Sequence, residues 1–414
     1  MQDKLGAMDI YLVGGAVRDK LLGLAIKERD WVVVGAKPSD LLDLNFKKVG
    51  KDFPIFLHPT THEEYALARL ERKVAAGYYG FVCDFSPTVT LEEDLRRRDL
   101  TINAIAEDAL GNIIDPLGGQ ADLKNKVLRH VSISFKEDPV RILRIARFMA
   151  RYKQLGFTIA SETHSLIEEM VQAGELQALV PERVWQEIEK ALHEPSPEAF
   201  FETLQETGAL KELWPSLNTL WGIPQRAEYH PEIDTGIHTM MSLKMASKLS
   251  KESITRFAVV CHDLGKGQTP KDLLPRHLCH EERGVNIIEA FCTQYKLPTE
   301  FRNLAVITSR FHLQAHQAFT LKPATIVKLL EKVDAYRKPK RFEQFLIACE
   351  ADARGRLHFE ETPYPQREYL MAALNCTKSL SIAHILQLGL QGEALKQAIR
   401  AERIRAIKQL KANY

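Results

Sequence analysis

Two acids, Glu28 and Asp30, stand two residues apart beside the apolar run Trp31-Val32-Val33-Val34, which reads as a β-strand. Side chains at i and i+2 of a strand leave on the same face. The two carboxylates therefore converge, and they repel unless a cation lies between them. A hard divalent ion such as Mg²⁺ takes oxygen ligands of this kind and keeps positions open for phosphate oxygens. Just upstream, Leu12-Val13-Gly14-Gly15-Ala16-Val17-Arg18-Asp19 reads as a short strand, a glycine turn and a helix start. Such a turn lets backbone N–H groups approach a triphosphate closely. Paired acids beside a phosphate-binding turn point to nucleotidyl transfer.

Two arginine-rich segments follow. Arg96-Arg97-Arg98-Asp99-Leu100-Thr101-Ile102-Asn103-Ala104 sets three cations beside an acid and an amide. A triphosphate bears several negative charges, so an arginine near the metal site is expected, and Asp99 or Asn103 suits ribose hydroxyls. Glu137-Asp138-Pro139 then reads as a helix start, with acids in the first turn and proline early. Arg141, Arg144, Arg147 and Arg151 follow at spacings of 3, 3 and 4 along one helix face, and Ile142, Ile145, Phe148 and Met149 form an apolar face. A solvated charge stripe is the plain reading of such a face. Arginine alone, without lysine, favours pairing with phosphates or base edges. An acid and a guanidinium together can offer a base its donor and acceptor pattern without a nucleic-acid template.

Histidines gather further on: His238, His262-Asp263, His277, His280, His312 and His316. Imidazoles with a carboxylate suit a transition metal that activates water against a phosphoester. The adjacent pair in Cys261-His262-Asp263-Leu264-Gly265 is the strong element. Taken singly, His277, His280 and His316 read as surface or satisfied core residues, and Cys279 as a small hydrophobe.

These residues need elements to hold them. With 414 residues, 45% of them hydrophobic, the chain suggests two to four domains. Ile10 to Val13, Trp31 to Val34, Tyr65 to Leu70 and Ile113-Ile114 read as strands in a mixed region, 1–135. From Glu137 the pattern is helical. A helical neck is expected over 136–225, the histidine-bearing segment over 226–336, and a helical tail over 337–414. Charge is balanced, 56 basic against 54 acidic residues, so a nucleic-acid partner would need a local basic surface. Six scattered cysteines, no apolar stretch long enough to span a membrane and no signal-like N-terminus point to the reduced cytoplasm.

The segments 12–19, 97–104 and Glu137-Asp138-Pro139-Val140-Arg141-Ile142-Leu143-Arg144-Ile145-Ala146-Arg147-Phe148 resemble, in composition, order and spacing, the motifs of the class II tRNA nucleotidyltransferases. These are the CCA-adding enzymes of the DNA polymerase β superfamily. The surroundings of His262-Asp263 resemble the HD domain fused to this enzyme in enteric-type bacteria. The resemblance implies an α+β nucleotidyltransferase head followed by an all-α neck, a body with the HD domain, and a tail. It implies template-independent addition of C, C and A to tRNA from CTP and ATP with Mg²⁺, by a monomer or weak homodimer. Gly15 and Arg18 would contact the triphosphate, and Glu28 and Asp30 would hold metal. Arg98 would bind phosphate and Asp99 ribose. Asp138 and Arg141 would select the base, with Arg144 and Arg147 completing the pocket. The family usually has aspartate where this chain has Glu28.

In the HD pattern His…His-Asp…Asp, His238, His262 and Asp263 fill the first three places. The enteric-type fusion has its final Asp directly after the histidine equivalent to His312, and here that residue is Leu313. Either His312 substitutes, or the hydrolase, for which the family implies nickel, is weak and the domain mainly structural. A bacterial poly(A) polymerase sharing the head motifs is the competing enzyme, and a non-catalytic tRNA-binding protein the competing class.

Overall fold

The computed structural model describes residues 8–49, 55–73, 81–381 and 383–412; the side chains of residues 71–73 and 81–83, Cys83 among them, and most of the N-terminal segment Met1 to Ile10 lie outside the described residues. The chain forms two compact units: Met1–Glu187 with Glu206–Glu212, and Ile188–Gln205 with Leu213–Tyr414. The four segments read from sequence thus fall into two bodies, and the expected boundary at 336 lies inside the second.

The first unit is built on a sheet of β1 (Asp9–Val13), β2 (Asp30–Val34), β3 (Lys47–Val49), β4 (Ile55–Leu57), β5 (Glu64–Leu67), β8 (Ala106–Glu107) and β9 (Ile113–Ile114), in the order β3-β4-β5-β2-β1-β8-β9. A separate hairpin pairs β6 (Leu70–Lys73) with β7 (Phe81–Asp84). The β-branched run of β2 is buried on both faces, as a central strand demands. Val32 packs with Val13, Leu95 and Ala104, and Val33 with Leu41, Phe56 and Leu67. β1 and β2 are antiparallel with Val13 opposite Asp30, while β2 and β5 are parallel with Asp30 beside Glu64. The glycine turn after β1 and the acid that opens β2 therefore meet at one end of the sheet.

Local differences from the sequence reading have identifiable causes. Glu28 does not belong to a strand. β2 begins at Asp30, and residues 24–29 are irregular. The single strand expected over Tyr65 to Leu70 is broken, because Ala68 N–H still donates to Val33 O (2.9 Å) while Arg69 N–H turns away to Asp94 Oδ1 (3.3 Å). The basic helix α2 spans Val140–Tyr152, after the short helix α1 (Gly15–Leu21), and Glu137 lies in the preceding 3₁₀ turn Ile133–Glu137. Pro139 has helical φ but no N–H to give, so it sits just ahead of the first turn.

The second unit is helical. Its histidine region is formed by α3 (Thr235–Leu249), α4 (Ser253–Cys261), α5 (His280–Gln294), α6 (Thr299–His316) and α7 (Pro339–Arg354). Ala246, Val259, Ala348 and Ala351 fill the contact between α3, α4 and α7 with small side chains. Three glycines allow close approach: the Gly265 backbone meets that of His280 and Gly284, Gly284 admits the Ser309 side chain, and Gly355 meets Ser242. No described helix is long and apolar enough to cross a membrane.

Gly265→Ala tests that close approach. Its Cβ would overlap the carbonyl oxygen of His280, which is backbone and cannot swing aside. The substitution should cost about 1–3 kcal/mol, the usual range for overpacking, read as an earlier urea midpoint for the second unit. An unchanged midpoint would show that α5 has room to retreat.

Candidate functional site

The first candidate site lies at the end of the sheet where β1 stops. Gly14 has φ +66°, and its N–H donates to Ile105 O (3.1 Å). A Cβ on Gly14 would stand 3.0 Å from Arg98 Nη1, so the guanidinium lies directly on the turn. Arg98 also pairs with buried Asp94 at 3.0 Å, and its Nε is buried without a hydrogen-bond partner. Desolvation by the protein around it raises the Asp30 carboxyl; Arg98 opposes this and Glu28 adds to it. Glu64 is raised by desolvation, then by Asp30 and Glu28. Three carboxylates thus repel one another across the ends of neighbouring segments. Glu64 was missed in the sequence because nothing there reveals its register with Asp30.

The arginines behind this end form a packed network. Arg18 is buried, donates to Asp19 Oδ1 (2.9 Å) and to Asn103 Oδ1, and lies 5.3 Å from the Phe148 ring centroid. Asp99 is buried and accepts from Arg144 (2.7 Å), from Asn103 Nδ2 (2.9 Å) and from Leu100 N–H (2.8 Å). Burial alone would raise its carboxyl, but Arg144 and the Asn103 hydrogen bond hold it well below the usual range. Arg147 pairs with Glu187 at 2.6 Å. Arg141 donates to the carbonyls of Ser134 (3.0 Å) and Arg97 (2.7 Å). Asp138 is held bidentately by Arg183 at 3.1 and 2.8 Å, a partner the sequence reading did not identify. The stripe is therefore no solvated surface. Asp138 and Arg141 sit at the start of one helix, each already engaged in the fold.

The second candidate site is buried in the helical unit. His238 on α3, His262 and Asp263 just after α4, His280 at the start of α5, His312 on α6 and Asp352 on α7 are all buried. His238 Nε2 and His262 Nε2 lie 3.0 and 3.5 Å from Asp352 Oδ1. His262 Nε2 is 3.2 Å from Asp263 Oδ2, while His280 and His312 Nε2 are 3.2 and 3.7 Å from Asp263 Oδ1. Burial would lower the His262 pKa, yet Asp263 and Asp352 push it up to about 10. His312, where burial prevails, falls to about 3.

This geometry corrects the expectation at position 313. Leu313 is 37% exposed and no member of the cluster; the carboxylate opposite His238 and His262 is Asp352. Sequence reasoning looked beside His312 because the resemblance placed the acid there. Asp352 lies 114 residues from His238, and only folding reveals the pairing. Glu232 was also missed; its Oε1 lies 2.9 Å from His238 Nδ1. His280, read singly as a bystander, belongs to the cluster.

Comparison with known proteins places these two sites in context. The family described as "Poly A polymerase head domain" matches residues 10–129, and "Probable RNA and SrmB- binding site of polymerase A" matches residues 156–220. A "Multifunctional CCA protein" of Thioalkalivibrio sulfidiphilus is 56% identical over 407 residues, covering 98% of this chain and 100% of the relative. Among solved structures, a CCA-adding enzyme in complex with ATP superimposes with a TM-score of 0.67 at 20% identity, covering 99% of this chain and 88% of the other. The Thermotoga maritima CCA-adding enzyme complexed with tRNA gives 0.63 at 19% identity, covering 99% and 92%.

The Asp99 pair carries a pH signature. Its folded pKa is depressed, so its stabilisation is complete above the unfolded value of about 3.9 and fades as pH falls below it. Asp99→Asn should cost about 1.5–3 kcal/mol at pH 7, the range for a hydrogen bond to a charged group. The gap to the native chain in urea unfolding should narrow at about pH 3. A gap of the same size at both pH values would contradict the charge pairing.

Proposed function

The chain belongs to the CCA-adding tRNA nucleotidyltransferases, in the form called multifunctional CCA protein, and from that footing we propose which side chains carry each step. The observation behind the head assignment is that Gly14-Gly15, Arg98, Asp30 and Glu64 occupy one end of the sheet. Their oxygen-only donors and mutual repulsion fit a hard divalent cation, Mg²⁺. Glu28, Asp30 and Glu64 would hold it, and when bound it stabilises charge on the attacking and leaving oxygens. Arg98 lies on the glycine turn as a phosphate contact, and Gly15 admits the triphosphate close to the backbone. Arg18, with Asp19 and Asn103, buttresses that turn from inside. Asp99 is the ribose contact through oxygen lone pairs not used by Arg144 and Asn103.

Base choice falls to Asp138 and Arg141, with Arg144 and Arg147 fixing the helix that presents them. Arg183 leaves lone pairs on the Asp138 carboxylate to accept from an amino group of C or A. The substrates are CTP, ATP and a tRNA whose 3′-OH attacks the α-phosphorus and releases pyrophosphate. The poly(A) polymerase families match residues 10–129 and 156–220, whereas the relative matched along 98% of this chain is a CCA protein.

The test is incorporation into tRNA lacking its 3′ end. Asp30→Ala should reduce addition by about 10³-fold or more, the several kcal/mol a metal supplies, with tRNA binding retained. Glu28→Asp should keep activity, and Glu64→Gln should lose it. Asp138→Asn should relax selection of CTP and ATP over UTP and GTP by roughly 5–150-fold, equivalent to about 1–3 kcal/mol per base contact. Full incorporation by Asp30→Ala would refute the head assignment, and unchanged selectivity in Asp138→Asn the template.

We also propose a metal-dependent phosphohydrolase in the helical unit, at His238, His262, Asp263 and Asp352. The donor set, imidazole nitrogen with carboxylate, fits a transition metal such as nickel. Buried His262 Nε2 and Asp263 Oδ1 lack hydrogen-bond partners, as ligand atoms without their ion do. A metal there supplies Lewis acidity and an activated water. His316, 24% exposed, reaches Asp352 Oδ2 (2.7 Å) and Tyr364 Oη (2.9 Å), and is placed to hand a proton towards a leaving group. Asp352→Asn should abolish Ni²⁺-stimulated opening of a 2′,3′-cyclic nucleotide while CCA addition continues. Leu313→Asp should leave both unchanged. A gain of hydrolysis in Leu313→Asp would return the missing-acid explanation to favour.

A further inference from the structure

Asp138 has extended backbone between the turn that ends at Glu137 and the start of α2, so no helical turn of its own fixes its carboxylate. Among the described residues three donors reach it. Oδ1 accepts from Arg183 Nη1 (3.1 Å) and from the Val140 N–H (3.2 Å), and Oδ2 accepts from Arg183 Nη2 (2.8 Å). A carboxylate offers about four lone-pair sites, two on each oxygen. Oδ1 is therefore filled, and one site is left, on Oδ2.

Arg183 grips through a planar fork. Two parallel N–H···O bonds set the guanidinium and the carboxylate in one geometry, which a single point charge does not do. With its plane fixed, the carboxylate aims its remaining lone pair in one direction. Cytosine and adenine carry an amino group where uracil and guanine carry a carbonyl oxygen. A held acceptor bonds the first and repels the second. A carboxylate free to turn swings away from a carbonyl and lets water answer it, so the wrong base escapes the penalty. Refusal therefore needs a held carboxylate, not merely a carboxylate.

The grip is itself braced. Arg183 and Glu187 lie one turn apart on one face of the helix Pro181–His193. Arg183 answers the acid ahead of α2, and buried Glu187 answers Arg147 within α2 at 2.6 Å. The signs alternate, so a shift of one helix along the other brings like charges together. The side chains of Arg183 and Asp138 are 27% and 23% exposed, so the pair is accessible from outside.

We propose that Arg183 is a positioning residue for base choice: by gripping both oxygens of Asp138 it leaves one aimed lone pair, on Oδ2, that takes the amino group of C or A and refuses U and G. This rests on the reading of Asp138 as the base contact and adds the residue that makes the contact selective.

The experiment measures kcat/KM for CTP, ATP, UTP and GTP on tRNA lacking its 3′ end, with the full chain. The variants are Arg183→Gln, the milder Arg183→Lys, Asp138→Asn, and Asp138→Asn combined with each Arg183 change. Ratios between nucleotides are the readout, because a loss of folded protein lowers all four rates alike and cancels. Both Arg183 variants should lower the preference for CTP over UTP and for ATP over GTP by roughly tenfold, within what one base contact is worth. Lysine keeps the charge without the fork, so it should not restore the native ratios. Each double variant should match Asp138→Asn alone, since Arg183 acts through that carboxylate. Native ratios in Arg183→Lys, or losses that multiply in the double variants, overturn the proposal while a relaxed Asp138→Asn leaves the base contact standing. Native ratios in Asp138→Asn overturn the base contact and the role of Arg183 with it.

Discussion

Two aspartates, Asp263 and Asp352, are buried inside a helical core, and a carboxylate cannot remain ionised there without positive charge close by. The second unit is arranged around that need. Histidines arrive from α3, α5, α6 and the end of α4, and small residues and glycines bring those segments near enough for the rings to reach the acids. Burial pulls both carboxyls upward, while His262 beside both, Lys266 beside Asp263 and His316 beside Asp352 hold them well below the ordinary range. Backbone carbonyls at Nδ1 of His262, His280 and His312 turn the Nε2 of each ring toward the acids.

The first unit meets the same problem differently. Its buried acids are answered by guanidinium groups: Asp94 by Arg97 and Arg98, Asp99 by Arg144, Glu187 by Arg147. Arginine stays charged at any working pH, so this network is permanent, whereas an imidazole can exchange its proton for a metal. The arginine motifs thus do structural work in the fold. Arg98 shows this most directly, holding Asp94 from one nitrogen while lying on the glycine turn with another.

The sequence made legible what is local. The glycine turn, the strand cores at Ile10 to Val13 and Trp31 to Val34, and the basic helix are contiguous patterns, and they fold nearly where their periodicity places them. The head and helical architecture followed from motif order. Long-range pairings were not legible. Glu64 joins Asp30 through parallel strand register, and Asp352 joins His238 through the packing of α3 on α7. Arg183 reaches Asp138 from 45 residues away. Position 313 misled because the resemblance set the final acid directly after His312 in the chain. On a helix, consecutive side chains diverge by about 100°, so the neighbour of a buried ligand faces elsewhere.

The place of Asp352 also sets a timetable. The first unit has all its residues once position 212 has been synthesised, while the histidine pocket lacks an acid until position 352. At about 5–20 residues per second the intervening 140 residues (352 − 212) take roughly 7–28 s. During that interval the nascent chain carries a complete nucleotidyltransferase head and an unfinished set of histidines. A ribosome that halts between those points leaves the head whole and the histidine pocket without Asp352.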